Sequence, residues 1–568
     1  MLSSSMQRLR ASASIRSLST GAFAPTAMRL HAHRLDHFPI LRETMPEDTK
    51  IPSFMVGTKN GFLPRQDPMA TLPDRFAKMD SLLRRMPLNL ADGSKGLLAN
   101  GQLGDAVHSE LEACKIDDIT DERLLSGKCE ILPAITHLRH LLQHAHRPSI
   151  GCRLFPALTA LYRDYTFLAS AYLLEPCDIM YRKKSEYGLG RQVLPSSIAV
   201  PLAQVANKIG AKPFMEYALS YRYTYFIPAP RSHTTSEGRI LYNWQRKNPF
   251  KGLSYDNLDV IRSFAGTESE KQHSFSHQYF FLSSSPSPHL FRKGFILNHV
   301  TMVAYSGDLI QHATDSLDAI MRCDRPSFNR AMKSLSVTYE HINNEMDFMW
   351  SRSEAADYQK SRTFIMGTKN QPMFPNGVIY EGVSDKPLFH RGESGANDSM
   401  IPLGDNLLQL TGTMPNNPLT EVLRDFRSYR PTNHKEFLEY VQRRADEVGL
   451  KEFALQDDLS AAFYLANVDQ IRAFRHRHWN LTKEYILKYS NHPVATGGSP
   501  IVTWLPNQLG AVLSTVIEVG THINPAHLDT EARHLVEEIS RRANAQKRVL
   551  EREVTALKEK FGEEAVRA

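Results

Sequence analysis

The sequence has 568 residues, 42% of them hydrophobic, with a net charge of +7. That is too much apolar content for a disordered chain and too great a length for one simple core. Five of the positive charges, Arg8, Arg10, Arg16, Arg29 and Arg34, precede the first acid, Asp36, so the basic balance belongs largely to the N-terminus and is no argument for nucleic acid as a partner.

In chain order, residues 1–34 are rich in Ser, Ala and Arg and lack both acids and a long apolar run. This is the composition of a mitochondrial transit segment, and "IRSLST" resembles a processing pattern with cleavage near Leu18 and Ser19. The competing reading is a disordered tail on a cytoplasmic protein. Five cysteines (Cys114, Cys129, Cys152, Cys177, Cys323) contain no CxxC pair. They argue against a disulfide framework and against a cysteine-based zinc or iron–sulfur site.

In "HLRHLLQHAH", His137, His140 and His144 share one helical face, read as a polar face rather than a zinc site. The most apolar stretch, residues 154 to 175, is interrupted by Arg163 and Asp164, which argues against a membrane span. From about residue 130 onward helical periodicity dominates and alternating strand patterns are scarce, so the expected class is all-α. Residues 197–220 read as two helical segments around Gly210 and Pro213. Residues 229–240 and 266–292 read as loops or insertions.

Residues 294–323 read as one long amphipathic helix on which Phe295, His299, Met302 and Ser306 share a face. Residues 366–402, dense in Gly, Pro and Asn, form an irregular segment of the kind that often carries function. A helix is expected over 458–489, capped by Asp457 or Asp458. Along it Val468, Ile471, Phe474, His478, Leu481 and Tyr485 recur every three or four residues, which turns His478 inward and His476 to roughly the opposite face. The tail from 526 carries one apolar seam, Leu550, Val554, Leu557 and Phe561, suited to docking, to coiled-coil pairing, or to a solvated helical extension.

A lone inward histidine is ordinarily a hydrogen-bonded core residue. Two of them, His299 and His478, on separate helices without local ligand partners, would also suit the two sides of a haem, which needs one proximal histidine and a large apolar pocket.

Several separated stretches resemble the indoleamine 2,3-dioxygenase family. They are "VLPSSIAVPLAQVANKIGAKPFMEYA", "KGLSYDNLDVIRSF", "RTFIMGTKNQPMFPNGVIYEGV", "RGESGANDSMIPLGDNLLQL", "RHWNLTKEYI" and "ATGGSP", in the family's order over roughly residues 60–520. The chain is similar to a divergent, fungal-like member. The resemblance implies a two-domain helical haem fold: a small N-terminal domain over 35–240, a large haem-binding catalytic domain over 241–525, and a charged C-terminal helix over 526–568 as an extension.

It also implies haem b as cofactor, with dioxygen added across the indole C2–C3 bond of L-tryptophan to give N-formylkynurenine, the first step of kynurenine and nicotinamide-cofactor synthesis. The proximal iron ligand of the family falls on His478 and its carboxylate-binding arginine on Arg362. Its aromatic pocket positions fall on Tyr217 and Phe295, its loop near the haem edge on Ser394 and Gly395, and its ammonium-binding threonine on Thr496. Gly497 and Gly498 would let that last loop close.

Three positions depart from the pattern. His299 stands where many members have serine, which resembles the related tryptophan 2,3-dioxygenases; it would bind the indole or dioxygen, or approach the iron. Asp357 stands where an aromatic is expected, with Tyr358 as the replacement if the helix shifts by one residue. The loop serine–alanine pair is Ser394 and Gly395. The implied partners are L-tryptophan and dioxygen, with no nucleic acid and no membrane span, and with a helix-mediated contact through 526–568 left open. The rivals are a haem protein of this fold with little or no tryptophan turnover, and a helical interaction protein without haem.

Overall fold

A computed structural model describes residues 38, 40, 53–112, 115–116, 154–215, 240–265, 294–395, 398–410, 425–426, 429–489 and 494–561. The N-terminal 34 residues, the histidine run 137–144, Tyr217, and the expected loops 229–239 and 266–292 lie outside the described residues.

The described chain is built from helices, with five strands of two to five residues. The helices of eight residues or more are α1 (Ala77–Arg85), α2 (Leu103–Glu110), α3 (Leu154–Lys184), α4 (Ser196–Ile209), α5 (Gly294–Ala304), α6 (Ser306–Met321) and α7 (Arg325–Asp347). They continue with α8 (Ala355–Arg362), α9 (Met400–Leu407), α10 (Thr432–Val448), α11 (Asp458–Thr482), α12 (Ile501–His522) and α13 (Thr530–Phe561). Within the irregular segment 366–402, strand Val378–Tyr380 pairs in parallel with Val193–Leu194 and antiparallel with Ser384–Leu388.

Arg163 and Asp164, the two charges that interrupt the apolar stretch of α3, are fully buried. Asp164 accepts from Arg163 Nε at 2.7 Å and from Arg262 Nη2 at 2.6 Å, and Arg262 also reaches Asp80 at 2.6 Å. Burial pushes the Asp164 carboxyl up, but the two guanidiniums more than offset this and hold it below the ordinary carboxylate range. Among the described residues no helix is long and apolar enough to cross a membrane.

The single helix expected over 294–323 is two helices, broken at Tyr305. The cause is a turn from far up the chain. The Phe62 N–H donates to Ser306 Oγ at 2.9 Å, and Ser306 Oγ donates to the Val303 carbonyl at 2.6 Å. Gly61 sits at φ +59°, and a Cβ there would lie 2.0 Å from Ser306 Oγ. The backbone of that turn therefore occupies the notch itself.

Helix α7 is central, packed along both α6 and α11. Helix α11 is capped by Asp457, whose side chain accepts from Ser460 N–H at 2.9 Å. Its α-helical part ends at Thr482 and the expected remainder is one π-helical turn, Lys483–Leu487. Outside partners take over the backbone and side chain there. The Gln359 side chain donates to the Tyr485 carbonyl, and the Tyr485 hydroxyl donates to the Ser353 carbonyl. Helix α13 packs on α11 and α12. Ile539, Ala543 and Leu550 are buried, and Val554 and Leu557 are half-buried against the core, so this part of its apolar seam is covered by the chain itself.

Candidate active site

Helices α5, α9 and α11, the π-helical turn and the loops around 394 and 496 enclose a cavity of about 280 Å³. One buried water needs roughly 10–15 Å³ of such space, so the cavity has room for a sizeable ligand. His299 from α5 and His478 from α11 both line it.

The His299 Nδ1 lies 2.6 Å from the Phe295 carbonyl. A carbonyl only accepts, so Nδ1 carries the proton and the neutral ring keeps Nε2 as an acceptor. Burial pushes the His299 imidazole down, with the Phe295 carbonyl opposing. Burial, and secondarily the charge of His299, pushes His478 down to about 4. Both shifts favour the neutral ring, and His478 stands within the electrostatic reach of His299.

Aromatic rings form one wall. Phe295 lies 4.7 Å from the His299 ring and 5.1 Å from Tyr358, and Tyr358 lies 5.9 Å from Tyr485. Phe474 and Leu481, one turn to either side of His478 on α11, supply apolar flanks. Tyr358 thus occupies the wall; the side chain of Asp357 lies outside the described residues. His476 faces away, toward a polar cleft shared with Arg472, Arg477 and Asn480.

At one end, three separated segments are knitted by backbone bonds. The Glu393 N–H donates to the Ile365 carbonyl at 3.1 Å and the Gly367 N–H to the Thr496 carbonyl at 3.0 Å. The Thr496 hydroxyl donates to the Glu393 carbonyl at 2.6 Å. Gly498 in the same loop has φ +80°, and a Cβ there would lie 2.5 Å from the Lys369 carbonyl, so the loop's path needs glycine.

This knot sets Ser394, Gly395 and Thr496 on the cavity wall. Arg362 ends α8 beside it, fully buried but not itself part of the wall. Its Nη2 donates to the Val494 carbonyl at 3.1 Å; Nε and Nη1 make no hydrogen bond of good geometry, and the buried Tyr187 phenol lies close enough to feel the guanidinium charge. Burial pushes the Tyr358 phenol up, with the charges of Arg362 and Glu393 acting on it in opposite senses. Of the candidate residues, then, His299, Phe295, Ser394, Gly395, Thr496 and His478 share one cavity, Arg362 lies just behind it, and Tyr217 is outside the described residues.

Sequence reasoning missed five ionisable groups on the wall: Glu393, Asp398, Asp405, Arg430 and Arg475. Arg475 lies three residues before His478, which on a helix is the same face, so its presence was readable from spacing. It pairs with Asp405 at 2.8 Å, and its Nη1 is buried without a partner. Asp405 comes from α9 and carries no local signal.

A profile of the indoleamine 2,3-dioxygenase family matches residues 50–285 and 287–507. Among similar curated proteins, indoleamine 2,3-dioxygenase 1 of Mus musculus is 24% identical over 434 residues, spanning 76% of this chain and 83% of that protein. Indoleamine 2,3-dioxygenase 2 of the same species is 23% identical over 370 residues, covering 64% of this chain and 78% of that protein. The Aspergillus candidus indoleamine 2,3-dioxygenase acdA is 23% identical over 495 residues, covering 82% of this chain and 98% of that protein.

The family is haem-dependent, and the residues present fit that group. Haem asks for one neutral imidazole nitrogen, apolar flanks and counter-charges for its propionates. His478, Phe474 and Leu481, and Arg475 with its partnerless buried Nη1 are of those kinds. A Cβ at Gly395 would meet nothing within 4 Å, so the loop leaves open space on that side. With a family profile spanning most of the chain and a cavity chemically suited to the cofactor, the chain belongs to the indoleamine 2,3-dioxygenase family and is a haem-dependent dioxygenase of the tryptophan/indoleamine type.

Proposed function

We propose that the substrate is L-tryptophan or a closely related indole amino acid, cleaved at the indole C2–C3 bond to N-formylkynurenine. The observation that carries this reading is the pairing of His478 and His299 in one apolar cavity whose end converges on a buried arginine with spare donors. Bound haem supplies the activation of dioxygen.

The chain's own residues hold and orient. His478, neutral through burial, is suited to ligate iron from α11. His299, with Nδ1–H committed to the Phe295 carbonyl, has Nε2 as acceptor for an indole N–H. Phe295 and Tyr358 are spaced to pack on the indole ring, a role the resemblance extends to Tyr217. The Arg362 guanidinium matches a carboxylate through Nε and Nη1. Thr496, Ser394 and Gly395 close the amino-acid end. The acid-free, arginine-rich first 34 residues support mitochondrial import as part of this proposal, which fractionation of the tagged chain would test.

The test is to load the chain with haem and follow the ferrous spectrum and N-formylkynurenine formation with L-tryptophan in air. Expected are loss of the haem spectrum in His478→Ala and loss of product in Arg362→Ala. A second reading, a haem protein without tryptophan turnover, draws on Arg362 lying behind the wall rather than in it. A stable haem spectrum with no product at high tryptophan would select it. No haem uptake would end both.

A further inference from the structure

The knot at the end of the cavity holds two opposite charges. Arg362 is fully buried at the end of α8, and Glu393, 4% exposed, lines the cavity on the neighbouring loop. The Glu393 N–H is fixed to Ile365, three residues after Arg362, and both charges act on the same Tyr358 hydroxyl. Glu393 is therefore on the wall of the cavity and Arg362 just behind it, at the same end.

Thr496 adds a directional argument. Its hydroxyl proton is given to the Glu393 carbonyl at 2.6 Å, so towards a ligand its oxygen acts as an acceptor. An acceptor oxygen bonded to the backbone of an acidic residue on the same wall suits a group that only donates, and an ammonium is such a group. A neutral hydroxyl alone gives a modest hydrogen bond, whereas a carboxylate supplies a charge-assisted one.

We propose that Glu393 is a specificity-determining residue: its carboxylate binds the substrate ammonium while Arg362 binds the substrate carboxylate, so that the site selects a zwitterionic α-amino acid over indoles with either charge alone. This rests on the substrate reading above and assigns the ammonium a partner that the resemblance did not.

The experiment measures equilibrium binding to the haem-loaded protein of three probes. They are L-tryptophan, indole-3-propionate (no ammonium) and tryptamine (no carboxylate). The wild type is expected to prefer tryptophan to indole-3-propionate by about tenfold or more. Glu393→Gln should narrow that preference by about tenfold, weaken tryptamine to a similar degree, and leave haem content and indole-3-propionate affinity unchanged. Glu393→Asp, which keeps the charge, should recover part of the preference. An unchanged tryptophan-to-indole-3-propionate ratio in a haem-replete Glu393→Gln protein overturns the inference, as does a wild type without the preference. A wild type that binds none of the three and makes no N-formylkynurenine overturns the substrate reading itself, and this assignment with it.

Discussion

The indole N–H of Trp479 donates to Glu553 Oε2 at 2.8 Å, joining the C-terminal helix to the residue beside His478. The same carboxylate pairs with Lys483 at 2.6 Å, and along the same interface Arg542 meets Asp469 at 2.8 Å and Arg472 meets Gln546 at 2.6 Å. Trp479 is buried, so removing its acceptor strands an indole donor. We expect Glu553→Ala to cost about 1.5–3 kcal/mol in urea unfolding. Glu553→Gln, which keeps an acceptor oxygen, should cost less. Equal losses in the two would show that the hydrogen bond to Trp479 is not what matters.

Arg362 should separate stability from binding. Its guanidinium is fully buried with two partnerless nitrogens, a cost to the ligand-free fold that an apolar side chain of similar volume would remove. Arg362→Met is expected to leave the urea midpoint of the ligand-free protein unchanged or higher. The KM for L-tryptophan should rise by roughly ten- to a hundredfold, the loss of a charged hydrogen-bond pair. A large drop in stability with an unchanged KM would make Arg362 a structural residue.

Acid should weaken the fold through its buried neutral histidines. Burial, with help from Lys212 and Lys369, pushes His390 down to about 3, and burial with Arg430 does the same to His434, which packs 4.9 Å from the Phe62 ring. The unfolded chain protonates each near pH 6.5. Stability is therefore present above that value and lost as pH falls from about 6.5 toward 3, by up to about 1.4 kcal/mol per pH unit for each histidine.

Asp398 acts in the opposite sense. Burial raises its carboxyl to about 6 against the pull of the Ile401 and Met400 N–H groups and Arg430. The folded state thus takes up a proton between about pH 6 and 4 that the unfolded chain, near 3.9, does not. Asp398→Asn removes that offset, so the acid slope in this window should steepen by up to about 1.4 kcal/mol per pH unit. Urea midpoints at intervals of pH would reveal it, and parallel curves would refute it.

The charge network of α3 hangs on one buried carboxylate. Asp164→Ala would leave Arg163 and Arg262 buried without their shared carboxylate. About 3–5 kcal/mol of stability should be lost. A loss below 1 kcal/mol would mean that Asp80, already 2.6 Å from Arg262, takes over the pairing.

Much of the cavity was legible in the sequence because helical geometry is local. Once α11 is a helix, a spacing of three or four residues decides that Phe474, His478 and Leu481 share a face and that His476 does not. The same reasoning placed Phe295 and His299 together on α5. It failed at Tyr305, where a continuous pattern became two helices. No pattern within 294–323 announces that Gly61 and Phe62, more than two hundred residues earlier, fill the notch at Ser306.

By itself, then, the sequence determined the helical class, the inward faces that carry His299 and His478 and, through its motifs, the family. Those properties depend on neighbours within a turn or on residues read directly. Only the tertiary structure decided that Arg475 meets Asp405, that Arg362 sits behind the cavity wall with its charge and that of Glu393 both reaching Tyr358, and that α13 is tied to Trp479. Each of these joins segments distant in the chain, and burial and partners are properties of the packed whole that no local spacing encodes.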